Sequence, residues 1–470
     1  MVSTDILPQG QSRTAGGGVA ALDSIANNAA PSDLKHAKND FWDEFNRKRR
    51  YMGEKYQQRM YLRRLLHGTR CASCGRVVNK AAGVSLFWSE EHQARFSGLQ
   101  TCGSVWCCPI CNAKIQAQRY QELKTMLEWA RDNGYSVVFA THTVRHDRTQ
   151  SLDQVRDMAA TIWRKCRSHQ PIKKLFKRYG SKGYVRAQEV TFSDANGWHV
   201  HYHGYYILRG KLTQSQVDSF GAAYSANWVK TATDNGYSAP TEENQRFELV
   251  QLGNEEDLTK AAQYVTMTKT ADLRSAASEL TNSQSKFGKV IEHNDGTTNL
   301  HMNYWDMLRA YTDIKRTAAA RKKNGRTSRK IVSASTYIIG DTEIRRFGLT
   351  LRKLEKLIRE YYFGMKYRRA LVWSRGLRKL IGLGEELTDE ELAAQTFAEE
   401  KDYVLTIWDW ASKVTRPESE HIAYDLLILC NMTHADRKEL TLYLRVHDIK
   451  YSFGLPDDCS MKIVKHYYKN

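Results

Sequence analysis

Apolar and polar residues alternate most regularly at residues 183–191, GYVRAQEVT, and 198–208, WHVHYHGYYIL. Both runs are rich in β-branched and aromatic side chains and predict strands. Between them, 192–197 carries Ser, Asp, Asn and Gly, the chemistry of a turn, so the two strands read as a hairpin. Upstream, SVVFATHT at 136–143 predicts a further strand, and the helix expected over 113–131 is closed by Asn133-Gly134. Residues 151–179 read as helical with a break at Pro171, 213–231 as a helix, 246–252 (RFELVQL) as a short strand and 255–268 as a helix. The order β, α, β, β, α, β, α implies an α+β domain of ferredoxin-like type, an antiparallel sheet with flanking helices.

The flanks have other patterns. Residues 1–40, with Gly16 to Gly18 and many Ser, Ala and Asn, read as a flexible tail. A basic helix is expected from 41 to 66, where Arg47, Lys48, Arg49 and Arg50 are interleaved with Tyr51, Tyr56, Tyr61, Leu62 and Leu65. Such a run is either a solvated face or one that contacts phosphates. Together with the cysteines that follow it forms a unit over 41–115, ahead of the α+β domain at 116–284. Residues 285–330 read as a basic linker ending in RTAAARKKNGRTSRK. Amphipathic stretches around 351–361, 389–410 and 421–429 predict a mostly helical C-terminal domain over 331–470.

Charge narrows the partners. Against 52 Asp and Glu stand 71 Lys and Arg in 470 residues, a net +19 that favours polyanions, nucleic acid before an anionic membrane surface. The lack of a long apolar run or of signal-peptide order predicts a cytoplasmic protein that does not span a membrane. Of nine cysteines, six fall between Cys71 and Cys111, which suits metal ligation in a reducing compartment better than disulfides.

Cys71-x-x-Cys74 and Cys108-x-x-Cys111 are two knuckles, each able to turn two thiolates onto one ion, and together they predict a tetrahedral Zn site. Cys102 and Cys107 are available as substitutes. Four thiolates close the coordination sphere, so this zinc is expected to be structural. A second set lies on the expected strand, where His199, His201 and His203 alternate with Val200 and Tyr202 and so share one face. With the turn centred near Ala195, Glu189 falls opposite His201. Imidazoles alone favour Zn or a late transition metal, and an added carboxylate with an open position suits Mg or Mn. An ion held there can polarise a phosphodiester. Tyr264, on the helix after the last strand of the same domain, is a candidate nucleophile, with Lys260 or Lys269 to supply positive charge.

Three motifs in order, FATHTVRH (139–146), EVTFSDANGWHVHYHGYYIL (189–208) and QYVTMTK (263–269), resemble those of the replication initiator proteins of rolling-circle plasmids, within the HUH endonuclease superfamily. TCGSVWCCPICNAKI (101–115) and RRALVWSRGLRKLIGLGEELTDEELA (368–393) are similar to the bacterial plasmid branch. The resemblance implies an HUH nuclease domain at 116–284 that nicks one strand at a double-strand origin. Tyr264 would attack the phosphodiester, giving a 5′-phosphotyrosyl link and a free 3′-hydroxyl primer. It places the metal on His201 and His203, with His199 a third ligand or a neighbour and Glu189 added by the hairpin geometry. Mg or Mn is the expected catalytic ion and Zn the structural one. Origin DNA, a host helicase and a DNA polymerase are the implied partners, and the C-terminal domain is expected to serve origin recognition or self-association as a dimer. The chain departs from the family at Met267, where relatives carry lysine, at Lys260, where some carry a glutamate, and at the extra Cys107. Termination then falls to Glu256 or Asp257, or to a second protein molecule. Two other readings compete, a non-catalytic zinc-containing DNA-binding regulator and a transposase or relaxase of the same superfamily.

Overall fold

The computed structural model describes residues 32–89, 93–253, 256–259, 289–292, 298–323, 337–339, 342–344, 350–394, 402–414, 419–433 and 437–454. Tyr264 and Lys269 lie outside them, as do Lys260 and Met267. Helix α1 (Ser32–Leu65) leads to strands β1 (Val84–Trp88) and β2 (Arg95–Ser97) and then to helix α2 (Pro109–Asp132). Pro109 sits in the first turn of α2, where a missing N–H costs nothing. Gly134 follows the helix with φ of 71°, the left-handed position that ends it.

Next come β3 (Tyr135–Thr143), α3 (Leu152–Ser168), α4 (Gln170–Arg178), β4 (Gly183–Ser193), β5 (Gly197–Arg209), α5 (Gln214–Asp234) and β6 (Arg246–Leu249). A capping box at Ser151 and Gln154 starts α3, and Thr213 with Gln216 starts α5 in the same way. The break expected at Pro171 falls between α3 and α4, with the proline in the first turn of α4. After them lie β7 (Lys289–Glu292), β8 (Thr298–Asn303), α6 (Tyr304–Lys323), α7 (Leu351–Met365), β9 (Leu371–Trp373), β10 (Tyr403–Ile407), α8 (His421–Thr433) and β11 (Tyr451–Phe453).

The fold is α+β with antiparallel sheets. The large sheet runs β6-β3-β5-β4-β8-β7, and β9 also pairs with β4. The outer edge of β4 is shared: Val185 to Ala187 pair with β9, and Thr191 to Ser193 pair with β8. Side chains on one face of the sheet, Val138, Ala140, Tyr202 and Tyr206, pack with Ile162, Trp163, Phe220 and Tyr224 of α3 and α5. The opposite face carries the polar site.

Beyond residue 331 the amphipathic pattern predicts helices, and α7 and α8 form, but this region also supplies strands, β9 to the large sheet and β10 and β11 to another. β10 reads YVLTI, a short apolar run whose periodicity does not separate helix from strand. It pairs with β1 in a second sheet of order β11-β10-β1-β2. Helix α8 and the residue before it meet α1. Arg49 bonds Asp425 at 2.9 Å, and Arg59 and Arg63 reach Glu420 at 2.6 and 3.3 Å. Part of the basic run of α1 is therefore neutralised inside the protein, a third outcome beside the solvated and the phosphate-contacting face. No helix among the described residues is long and apolar enough to cross a membrane.

Lys55 lies on the same helix, buried, with its Nζ lacking a hydrogen-bond partner among the described residues. Burial pulls its pKa from an ordinary 10.5 down to about 7. Between these values the unfolded chain binds the proton more tightly than the folded one, so this residue's contribution to stability rises with pH. The Lys55→Met variant is expected to be more stable than wild type by roughly 2–4 kcal/mol near neutrality. Paired urea titrations should show that advantage shrinking towards alkaline pH, and a constant difference would contradict it.

Candidate metal centre

The β4–β5 hairpin turns through residues 194–196, and Gly197 takes φ of 73° where a Cβ would come within 2.8 Å of the Arg148 backbone. This turn sets the register, pairing Glu189 with His201 and Ala187 with His203. On the other side of β5, β3 places Thr143 beside His201 and Thr141 beside His203. Period two then brings Glu189, His201 and His203 to one face. The Nε2 atoms of His201 and His203 lie 2.9 and 2.7 Å from the same Glu189 oxygen, Oε2. These three donors lie within 4.8 Å of one another and can hold a metal ion. The site opens into a cavity of about 590 Å³ that Thr141, Thr143, Arg246 and Asp257 also line.

The imidazole of His203 is held from behind. The Thr141 hydroxyl lies 3.2 Å from His203 Nδ1, while His201 Nδ1 is buried with no partner among the described residues. A metal takes the lone pair of each Nε2, which requires the proton on Nδ1. Thr141 then accepts from His203 and fixes that tautomer. Removing this hydroxyl in Thr141→Val is expected to weaken Mn²⁺ binding about 10-fold by titration calorimetry, as for other outer partners of ligating histidines. Unchanged affinity would remove Thr141 from this role.

His199, expected as a third ligand or a neighbour on the same face, makes a different bond. Its Nδ1 lies 2.7 Å from Nε2 of His146, whose Nδ1 donates to the Asn196 carbonyl at 3.1 Å. Burial, then the neighbouring imidazoles of His201, His146 and His301, push the pKa of His199 down to about 3. His146 lies 53 residues from His199, and only the pairing of strands brings the two together. His142, in the same THT segment as Thr141, points to the other face. Its Nε2 meets the Tyr206 hydroxyl at 2.9 Å, and burial takes its pKa down to about 3, so it is a neutral core residue.

In the cysteine module, Cys74, Cys102, Cys108 and Cys111 are all buried and can hold a second ion. Cys74 Sγ is 3.5 Å from Cys108 and 3.6 Å from Cys111, and Cys102 is 3.7 Å from Cys111. Thiolates at the corners of a tetrahedral zinc site lie about 3.8 Å apart, so the donor set fits the metal before it arrives. Cys102 stands where Cys71 was expected. Gly75 N donates to Gln100 O and Gln100 N to Arg76 O, both at 2.7 Å, and this short pairing delivers Cys102 next to Cys74. Cys71 lies just outside, 3.7 Å from Cys102. Cys107 is not one of the four, and its carbonyl accepts from the Tyr304 hydroxyl at 3.1 Å. Arg63 donates twice to the Cys74 carbonyl, at 3.0 and 2.6 Å, bringing a cation close to the thiolates.

No family model and no solved structure matches the chain. Among curated proteins it is similar to Protein rep of Streptomyces lividans, 23% identical over 251 residues that cover 44% of this chain and 54% of that protein. It is also similar to a neomycin resistance protein of Streptomyces cyanogenus, 25% identical over 164 residues, 29% of this chain and 37% of the relative. The chain thus spans about half the length of the first relative and little more than a third of the second. Over the 251 residues it shares with Protein rep, the chain is Rep-like in sequence.

Proposed function

We propose that this protein initiates rolling-circle replication of a plasmid in the cytoplasm, binding the double-strand origin and nicking one strand. The observation that carries the reading is the convergence of His201 and His203 on one oxygen of Glu189, on an open face of the sheet, in a Rep-like chain. When bound there, Mg or Mn supplies Lewis-acid polarisation of a phosphodiester. Glu189 adds negative charge to the donor set, Thr141 holds the tautomer of His203, and Arg246 on the cavity wall offers a guanidinium to a phosphate. The phenol oxygen of Tyr264 attacks phosphorus and loses its proton, the bond to the 3′ oxygen breaks, and that oxygen takes up a proton to become the 3′-hydroxyl. Lys269 stabilises the phenolate. Zinc on Cys74, Cys102, Cys108 and Cys111 is structural in this reading. The 3′-hydroxyl is the primer a host DNA polymerase extends, a host helicase opens the duplex ahead of it, and the C-terminal region serves origin recognition or dimerisation.

The test incubates wild type and Tyr264→Phe with supercoiled plasmid bearing the gene's own flanking DNA, in Mg or Mn, followed by denaturing gels. Wild type is expected to nick and become linked to DNA, and the variant to do neither. Binding without cutting in either metal would favour a non-catalytic regulator, and equal cutting by both proteins would assign the nucleophile elsewhere.

A further inference from the structure

Residues 366–370, KYRRA, join α7 to β9. Tyr367 has φ of 61°, in the left-handed region that a bulky side chain adopts only when its surroundings force it. Those surroundings are specific. Arg368 N donates to Met365 O at 3.1 Å, Trp106 Nε1 of the cysteine module donates to Arg368 O at 2.6 Å, and Gln188 N of β4 donates to Ala370 O at 3.1 Å. The loop is thus fastened at three points to the helix, the metal-binding module and the sheet. What this fastening displays is a tyrosine that is 74% exposed.

The charges around the ring are equally unspent. Lys366 Nζ lies 4.6 Å from the Tyr367 ring centroid. Lys366 and Arg368 are exposed and make no ion pair among the described residues. Arg369 reaches Glu386 at only 3.5 Å, with 70% of its side chain still exposed. Phe363, one turn earlier on α7, is 60% exposed. The three hydrogen bonds hold the loop to the fold through its backbone, while Lys366, Tyr367 and Arg368 stay largely in solvent. This arrangement matches the requirements of an unpaired base next to phosphates, since stacking needs a free base face and duplex bases are already stacked.

We propose that the loop 366–370 binds single-stranded nucleic acid, with Tyr367 stacking on an unpaired base and Lys366 and Arg368 contacting the flanking phosphates. The pairing of Ala370 with Gln188, the neighbour of Glu189 along β4, sets this loop at the edge of the sheet that carries the metal centre. Three residues of chain span at most about 10 Å, so a strand stacked on Tyr367 lies close to that edge. The inference deepens the nickase reading by assigning where an opened strand is held, and its geometry does not depend on Tyr264.

The test measures fluorescence anisotropy of a labelled oligothymidylate, and of a duplex of the same length, with the full chain and without divalent metal, so that no cutting enters the readout. Tyr367→Ala is expected to weaken oligothymidylate binding about 10- to 100-fold while leaving duplex affinity within about 2-fold. Tyr367→Phe keeps the ring and should bind as wild type does. Tyr367→Gly removes the ring while accepting the left-handed backbone, so it should lose binding with no loss of thermal stability. Lys366→Ala with Arg368→Ala should lower the dependence of binding on salt by about one to two phosphate contacts. Wild-type affinity in Tyr367→Ala and Tyr367→Gly, or no binding by wild type, would overturn the proposal. A wild type that binds through Tyr367 yet never nicks its plasmid would keep this site and defeat the nickase reading.

Discussion

Glu189→Gln is expected to lower the affinity for Mn²⁺ by more than about 100-fold, beyond the loss that follows from removing an outer hydrogen-bond partner. One oxygen of Glu189 already meets both imidazole Nε2 atoms, at 2.9 and 2.7 Å, and contributes the negative charge of the three-donor set. Glutamine keeps the shape and one acceptor but loses the charge and half the symmetry of the carboxylate, leaving two neutral imidazoles that hold a hard cation poorly. The geometry predicts a companion result. His199→Ala should leave Mn²⁺ affinity within about 3-fold, because its imidazole is engaged by His146 and stands outside the three donors. Titration calorimetry reads both without reference to activity. Full affinity in Glu189→Gln, or a loss in His199→Ala as large as that in His203→Ala, would place the ion on a different set.

Cys74→Ser should release the metal of the cysteine module and lower stability by more than about 5 kcal/mol, below the free energies of zinc binding by isolated finger peptides because a large core remains. Cys74 Sγ lies within 3.6 Å of both Cys108 and Cys111. Its backbone is also the anchor for Arg63, which joins the module to α1 and through Glu420 to the residues ahead of α8. Cys71→Ser and Cys107→Ser are expected to keep one equivalent of zinc, measured by elemental analysis, with melting temperatures close to wild type. Retention of zinc by Cys74→Ser together with its loss from Cys71→Ser would exchange the two ligands.

The hairpin that carries the metal centre was legible because everything that defines it is local. Alternation marks the strands, the Ser-Asp-Ala-Asn-Gly segment marks the turn, and the turn fixes which residue faces His201. What lies beside the hairpin was not legible, since sheet order depends on contacts between distant segments. Thr141 became a partner of His203 and His146 a partner of His199 only when β3 settled against β5. Cys102 entered the thiolate set for the same reason: spacing identifies the CxxC knuckles, but the pairing of 75–76 with 100 decides which sulfurs converge. In α1 the arginines were visible as charge, and their acidic partners more than 350 residues away were not.

The pairing of β1 with β10 joins segments separated by more than three hundred residues. On a ribosome adding about 5 to 20 residues per second, the earlier strand waits on the order of half a minute for its neighbour. Val84 and Leu86, wholly covered in the finished protein, spend that interval on an unpaired edge. Contacts of such range also slow the search for the native state once the chain is released. The N-terminal half of the protein thus reaches its final form only after nearly all of the chain has been made, and its yield in a cell depends on whatever shields that edge in the meantime.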